Sequence, residues 1–264
     1  MNKRHFLLFF CLVFTGSLSW FGFLGVDSSN NQSLTEAKEA RQKVYQAYSR
    51  NQPTLWPAAI ATLKRLSSQA GNQNPDLLYE WCLAEYGYLG YCIGTKATHI
   101  NIDDRLDDLE DALDDLLDLK EDFPPAEAMM GAVIAMQIGM SPATAIYQGP
   151  RSSSYISDAL EHGPNSPEAW VEKGNMRFHA PALFGGDMKE AIKCFAKAAD
   201  LFAKNPSIAS NNWLYLHALA WLGQAYEKEG QWANAKLAYQ RALSVEPNFQ
   251  WVKSELLPSL ERRN

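Results

Sequence analysis

Apolar residues recur at intervals of three and four along nearly the whole chain from Leu34 onward, and no stretch alternates with period two. That spacing gathers apolar side chains on one face of an α-helix, whereas alternation would mark a half-buried strand. The pattern predicts helices over about 34–50, 54–70, 75–94, 102–121, 125–140, 144–162, 167–179, 187–204, 210–229, 232–245 and 249–261. The breaks carry turn chemistry, among them Asn51-Gln52-Pro53, Pro124-Pro125, Gly163-Pro164-Asn165-Ser166-Pro167, Gly185-Gly186 and Pro247-Asn248. Short links between helices of this length favour antiparallel neighbours, so the expected class is all-α: five helix pairs and one terminal helix.

Residues 210–249 hold small and aromatic side chains at regular places. Leu219, Leu222, Gly223 and Tyr226 are followed by Ala235, Tyr239, Ala242 and Pro247. Gly223 and Ala235 allow two helices to approach closely, the larger side chains fill the remaining space, and Pro247 ends the second helix. This set resembles the tetratricopeptide repeat, with Leu219 where Trp is commonest and Tyr239 where Phe is common. The preceding pair is a variant. It runs from Gly163 through Trp170 and Gly174 to Ala191, Phe195 and Ala198, with Arg177 where an aromatic is usual. Its loop, His179 to Asp187, is about five residues longer than the standard link. Asp187 and Glu190 have the spacing of a capping box. Residues 34–162 resemble the repeat by helix length and turn spacing alone. Trp251, Leu256, Leu257 and Leu260 form one face of a terminal helix that would cover the last pair. The resemblance implies an α-solenoid of about five antiparallel helix pairs plus a C-terminal capping helix. It divides the chain into a repeat-like region, 34–162, and repeats with their cap, 163–264.

In tetratricopeptide arrays the first helices of successive pairs line a concave groove. Carried over by register, the resemblance implies His217, Gln224, Glu227 and Lys228 on the last pair, and Val171, Asn175, Phe178 and His179 on the one before. Looser alignment adds Met129 and Met136, then Tyr79 and Tyr86. Amide, aromatic and thioether groups predominate. Family members that grip a peptide C-terminal carboxylate use ladders of Lys, Arg and Asn, and here Asn175 and Lys228 alone match. The implied partner is another protein or a peptide segment of more apolar character. Size, the N-terminal segment and the helix–FGGD–helix feature also resemble the T component of tripartite periplasmic (TRAP) transporters, which implies a small hydrophobic ligand instead. The 180–187 loop would be either a lip over the groove or an apolar plug folded back on it.

Charge and composition narrow the classes. The chain of 264 residues has a net charge of −6, a poor balance for neutralising nucleic-acid phosphates. Eleven carboxylates fall within 103–122 against Arg105 and Lys120, so the acidity belongs to one helix. Its Leu106, Leu109, Leu113, Leu116 and Leu117 keep a helical stripe, which reads as a solvated outer helix, a dock for a basic partner or a weak divalent-cation site. Phosphate-binding glycine loops, zinc-ligand spacings and nucleophile-elbow motifs are missing, and the five histidines are scattered, so a non-catalytic chain without cofactor is expected. Cys82, Cys92 and Cys194 read as buried thiols. Lys3, Arg4 and His5 precede an uncharged run, Phe6 to Val26, the form of an export signal. Ser17 and Ser19 outline a cleavage site, while the run is also long enough for an anchor. The expected organisation is a leader or anchor over 1–26, a polar linker over 27–33, and an exported body whose only membrane contact is the N-terminal segment.

Overall fold

The computed structural model describes residues 23–71 and 73–263, with side chains from residue 31 onward. The chain divides into two compact units, Met1–Thr35 and Glu36–Asn264. Among the described residues all regular structure is helical. The helices are α1 (Phe23–Ser49), α2 (Leu55–Gln69), α3 (Pro75–Thr95), α4 (Ile102–Leu119), α5 (Pro124–Met140), α6 (Ala145–His162), α7 (Pro167–His179), α8 (Met188–Lys204), α9 (Pro206–Ala209), α10 (Trp213–Lys228), α11 (Trp232–Val245) and α12 (Leu257–Arg263). The expected all-α architecture of helix pairs is therefore observed.

Three local features depart from expectation. The helix expected from residue 210 begins at Trp213, because Pro206–Ala209 forms a separate turn. Asn212 then caps α10, its side chain accepting from the Leu214 amide at 3.1 Å. The terminal helix widens into a π-helical turn at Val252–Leu256 before α12. Pro258 lies two residues beyond that turn, and its ring and missing N–H are accommodated by the wider backbone path. Residues 27–33, expected as a linker, have helical backbone within α1. The tract is polar but holds no Gly or Pro to break a helix. Residues 1–22 of the expected leader or anchor, with Cys11, lie outside the described residues. No described helix is long and apolar enough to cross a membrane.

Within Glu36–Asn264 the pairs α3/α4, α5/α6, α7/α8 and α10/α11 pack internally, and the first helices α3, α5, α7 and α10 touch in succession. Small residues set the approach. A Cβ on Gly223 would stand 2.2 Å from the Tyr239 ring, and one on Gly174 would stand 2.6 Å from the Phe195 ring. The same device recurs in α5, where a Cβ on Gly131 would meet Ile156 at 2.7 Å. In α3 the pattern changes: Gly87 faces Trp56 of α2 and Trp213 of α10, not its partner α4. Residues Trp81 to Leu89 of α3 are buried on every side. A helix enclosed all round loses its polar stripe, which is why the repeat signal fades there.

The acidic helix α4 turns its leucine stripe inward and leaves most of its carboxylates exposed. Leu106, Leu109, Leu113 and Leu116 are buried, and Arg105 turns inward to grip Glu85 of α3 through two bonds of 2.6 Å. Cys82, Cys92 and Cys194 are free and buried, as expected. Burial pushes the Cys194 thiol up to about 11 and raises Cys82 and Cys92 as well, so thiolate chemistry is suppressed at all three.

The glycine contacts yield a stability prediction. Gly223→Ala overpacks the α10/α11 contact and should destabilise the protein by about 1–3 kcal/mol in urea unfolding. In a Tyr239→Leu background, which removes the ring, the same substitution should cost much less. Equal costs in both backgrounds would show that the contact does not set the pair's spacing.

Candidate functional site

The part of α1 from residue 36 onward packs against the first helices α3 and α10. Its buried stripe is Ala40, Val44 and Ala47. Arg41 pairs with Glu80 of α3 at 3.3 Å. Arg65 of α2 holds Glu36 near the start of this stretch. Burial first, and then the nearby Glu246 carboxylate beyond α11, raise the Tyr45 pKa. The Tyr48 ring stands 5.0 Å from Trp213 and 5.6 Å from Phe249. Residues 40–49 thus span from the N-terminal part of α3 to that of α10 and on to Phe249 beyond the last pair.

A chain of hydrogen bonds crosses this seat. Asn175 Nδ2 donates to Glu172 Oε2 at 2.8 Å, which leaves Asn175 Oδ1 as an acceptor. His217 Nε2 meets that oxygen at 3.0 Å, so it carries the proton. His217 Nδ1 is then the acceptor for the Tyr48 hydroxyl, 3.2 Å away. Tyr86 donates to Glu172 Oε2 at 2.9 Å. Five side chains from α1, α3, α7 and α10 form one relay. Burial pushes Glu172 up to about 7, although Asn175 and Tyr86 favour its charged form. Burial depresses His217 to about 3, with nearby His179 adding to the effect, so His217 is neutral at ordinary pH.

The positions expected on the groove separate into three groups. Tyr86, Met129, Val171 and Phe178 lie in the core and offer little surface. They sit where neighbouring helices close over the first-helix face. Asn175 and His217 are committed to the relay, Tyr79 packs edge-on to Phe123 at 5.3 Å, and Glu227 pairs with Arg263 of α12 at 3.4 Å. Met136 is half-buried beside Gly90. Gln224 is half-buried, and His179 and Lys228 are exposed.

These last three border an aromatic strip. Trp221 stands 4.8 Å from both Phe178 and His179 and 5.7 Å from Trp251, and the Lys228 ammonium lies 3.8 Å above Phe178. Trp221 and Trp251 are half-buried. Sequence reasoning did not place Tyr48, Glu172 or Trp221 on this face, and it assigned Trp251 to the covering face of the terminal helix. Trp221 follows His217 by four and precedes Gln224 by three, so helical spacing alone places it on the same face. Tyr48 carries no such signal, because its partners are 165 or more residues away, as with His217 at a separation of 169.

Other clusters have different chemistry. His162 lies between Glu127, 2.7 Å from Nδ1, and Asp122, 3.4 Å from Nε2. The two ring nitrogens address different carboxylates, the geometry of an imidazolium clamp; the Glu127 hydrogen bond foremost raises the His162 pKa. Two open cavities of about 330 and 190 Å³ flank α4 and are lined largely by carboxylates, amides and hydroxyls. In the 180–187 loop, Leu183 and Phe184 project into solvent, which overturns the folded-back plug. Asp187 caps α8 by accepting from the Lys189 and Glu190 amides at 2.9 and 3.1 Å. The reciprocal half of the expected capping box is absent: the Asp187 amide donates to Arg177 O, and Glu190 pairs with Lys193.

Residues 217–249 match the tetratricopeptide repeat model. The chain's fold is similar to that of a thermophilic TPR protein of Thermus thermophilus, at 14% identity over 86% of this chain and 96% of that one, with a TM-score of 0.55. It is also similar to the HusA haemophore of Porphyromonas gingivalis, at 18% identity over 73% of this chain and 93% of that one, with a TM-score of 0.58. At these identities the likeness establishes the helical-repeat fold. None of the curated proteins matches the chain.

The relay makes the pH dependence testable. Glu172, raised from 4.5 to about 7, contributes stability that is full below pH 4.5 and lost as pH rises through 7. His217, lowered from 6.5 to about 3, contributes stability that is full above pH 6.5 and lost as pH falls through 3. The two slopes oppose each other between pH 4.5 and 6.5. Glu172→Gln removes one of them. Relative to wild type, the variant should gain up to about 3 kcal/mol in unfolding free energy between pH 4.5 and 7. A constant difference across that range would contradict a buried carboxylate at this site.

Proposed function

We propose that this chain, an all-α array carrying a tetratricopeptide repeat, is a non-catalytic scaffold of the cell envelope that binds a segment of another protein. One observation carries the reading. α1 occupies the N-terminal part of the first-helix face through Tyr48, while Trp221, Trp251, Gln224, His179 and Lys228 leave a partly open aromatic strip on the C-terminal part. Half-buried Trp side chains bordered by an amide and a lysine combine apolar contact area with directional polar groups, the composition of a protein-recognition surface. The partner fitting this strip is a short apolar or aromatic segment with acceptors for Lys228 and Gln224. The envelope location follows from the export-type character of residues 1–26.

The alternative of a TRAP T-component-like accessory for a small hydrophobic ligand calls for an enclosed apolar chamber. The two cavities beside α4 are open and lined mainly by polar residue types, and none of the strip residues lines them. The protein-binding reading is therefore preferred.

Site-specific photocrosslinking tests it. A benzoylphenylalanine at Gln224 should give discrete protein adducts in cells, whereas one at Gln240, on the exposed side of α11, should not. Trp221→Ala should reduce the Gln224 adduct several-fold. Adducts confined to lipid-sized species at Gln224, or the same adducts from both positions, would overturn the proposal.

A further inference from the structure

The loop between α7 and α8 is built to display two apolar side chains. Leu183 is 88% exposed and Phe184 is 58% exposed. They sit on a single turn of 3-10 helix, Ala182–Phe184. Flexibility does not explain the exposure, because the turn is tied at both ends. Phe184 N and Gly186 N both donate to Pro181 O, at 2.8 and 3.1 Å, and Asp187 N donates to Arg177 O at 2.9 Å. The Arg177 guanidinium donates to Gly185 O at 2.6 Å. Gly185 takes a left-handed φ of 88°, and a Cβ on Gly186 would stand 1.9 Å from Ala180 O, so neither position accepts an ordinary side chain. The Leu-Phe tip is thus held away from the core by a fixed frame.

The charge around the tip is opposite to that of the chain. Residues 173–197 hold Lys173, Arg177, Lys189, Lys193 and Lys197 against Asp187 and Glu190, while the chain as a whole carries −6. Asp187 is occupied in capping α8, and Glu190 pairs with Lys193. Lys189, Lys193 and Lys197 are exposed at intervals of four along α8, leading away from the tip. An isolated Leu-Phe pair is far smaller than the roughly 800 Å² per side that a stable protein interface buries. An apolar tip with a basic flank does suit a bilayer: Leu and Phe enter the headgroup–acyl boundary, and the lysines meet anionic headgroups.

We infer that the Leu183–Phe184 tip is a peripheral docking wedge for the surface of an anionic lipid bilayer. The contact is weak and reversible, since two apolar side chains and a few surface cations fall short of stable anchoring. It would orient the body against the membrane surface, and high salt would loosen it. The tip shares no residue with the aromatic strip, which His179 joins to the loop, and either reading can fail without the other.

A spin label at the tip provides a local readout that the N-terminal segment cannot mimic. Full-length chain with Cys11→Ser and Leu183→Cys would carry one accessible thiol, because Cys82, Cys92 and Cys194 are buried. With vesicles containing phosphatidylglycerol, collisions of the label with oxygen should rise relative to a nickel chelate by several-fold. A label at Gln240→Cys should not change. Adding Phe184→Asp, using phosphatidylcholine vesicles, or raising the salt should abolish the shift. A tip label that stays aqueous on phosphatidylglycerol vesicles overturns the proposal. So does a label that becomes shielded only when a protein extract is added, which would assign the tip to a protein partner.

Discussion

The seat of Tyr48 among Trp213, His217 and Phe249 is the contact on which the arrangement of the body depends. Helix pairs stacked in sequence touch their neighbours and little else, so an array of this kind is held together locally. Here a residue near the start of the chain bonds to one 169 positions later. Trp56 and Trp213 add a second closure by meeting over Gly87. The result is a core that runs from α1 through α3, α5 and α10 to Phe249, Val252 and Leu260, with no break between early and late pairs. That closure also buries surface that a plain repeat array would leave open.

Polar groups at the seat make the closure specific. Apolar stacking alone would tolerate sliding of α1 along the face. The relay from Tyr48 through His217, Asn175 and Glu172 to Tyr86 fixes one register, since each member has one geometry in which donors and acceptors match. The opposing pKa shifts of Glu172 and His217 also have a structural meaning. Both report a site in which charge is disfavoured, and a neutral His217 is what allows the Tyr48 hydroxyl to donate. The Asp122–His162–Glu127 clamp is the contrasting case: it lies toward the surface, and its carboxylates favour the charged ring.

The sequence disclosed local structure well and long-range structure poorly. Proline and asparagine at the junctions placed the helices, because capping and turn preferences act within a few residues; Asn74, Asn101, Ser166 and Asp187 all cap as side-chain acceptors. Gly223 and Tyr239 revealed the last pair because their contact lies inside one repeat. Gly131 serves the same purpose in α5 but meets Ile156, not an aromatic, so the repeat pattern passed over it. The groove was the least legible part. Register placed Val171, Met129 and Tyr86 on the correct helices, yet all three are buried, because whether a face is open depends on what packs over it. Trp221 was recoverable from helical spacing, while Tyr48 was not. The exposed Leu183 and Phe184 likewise required the loop frame to be seen, since the same residues in a looser loop would fold inward.

The account stands on α1 being an integral part of the first-helix face, and native-state hydrogen exchange at the amides of Val44 to Ser49 tests this most directly. If α1 is seated as described, those amides exchange only through global unfolding, with the same free energy as core amides of α3 and α10. Exchange at rates near those of a frayed terminus, while α3 and α10 stay protected, would contradict it.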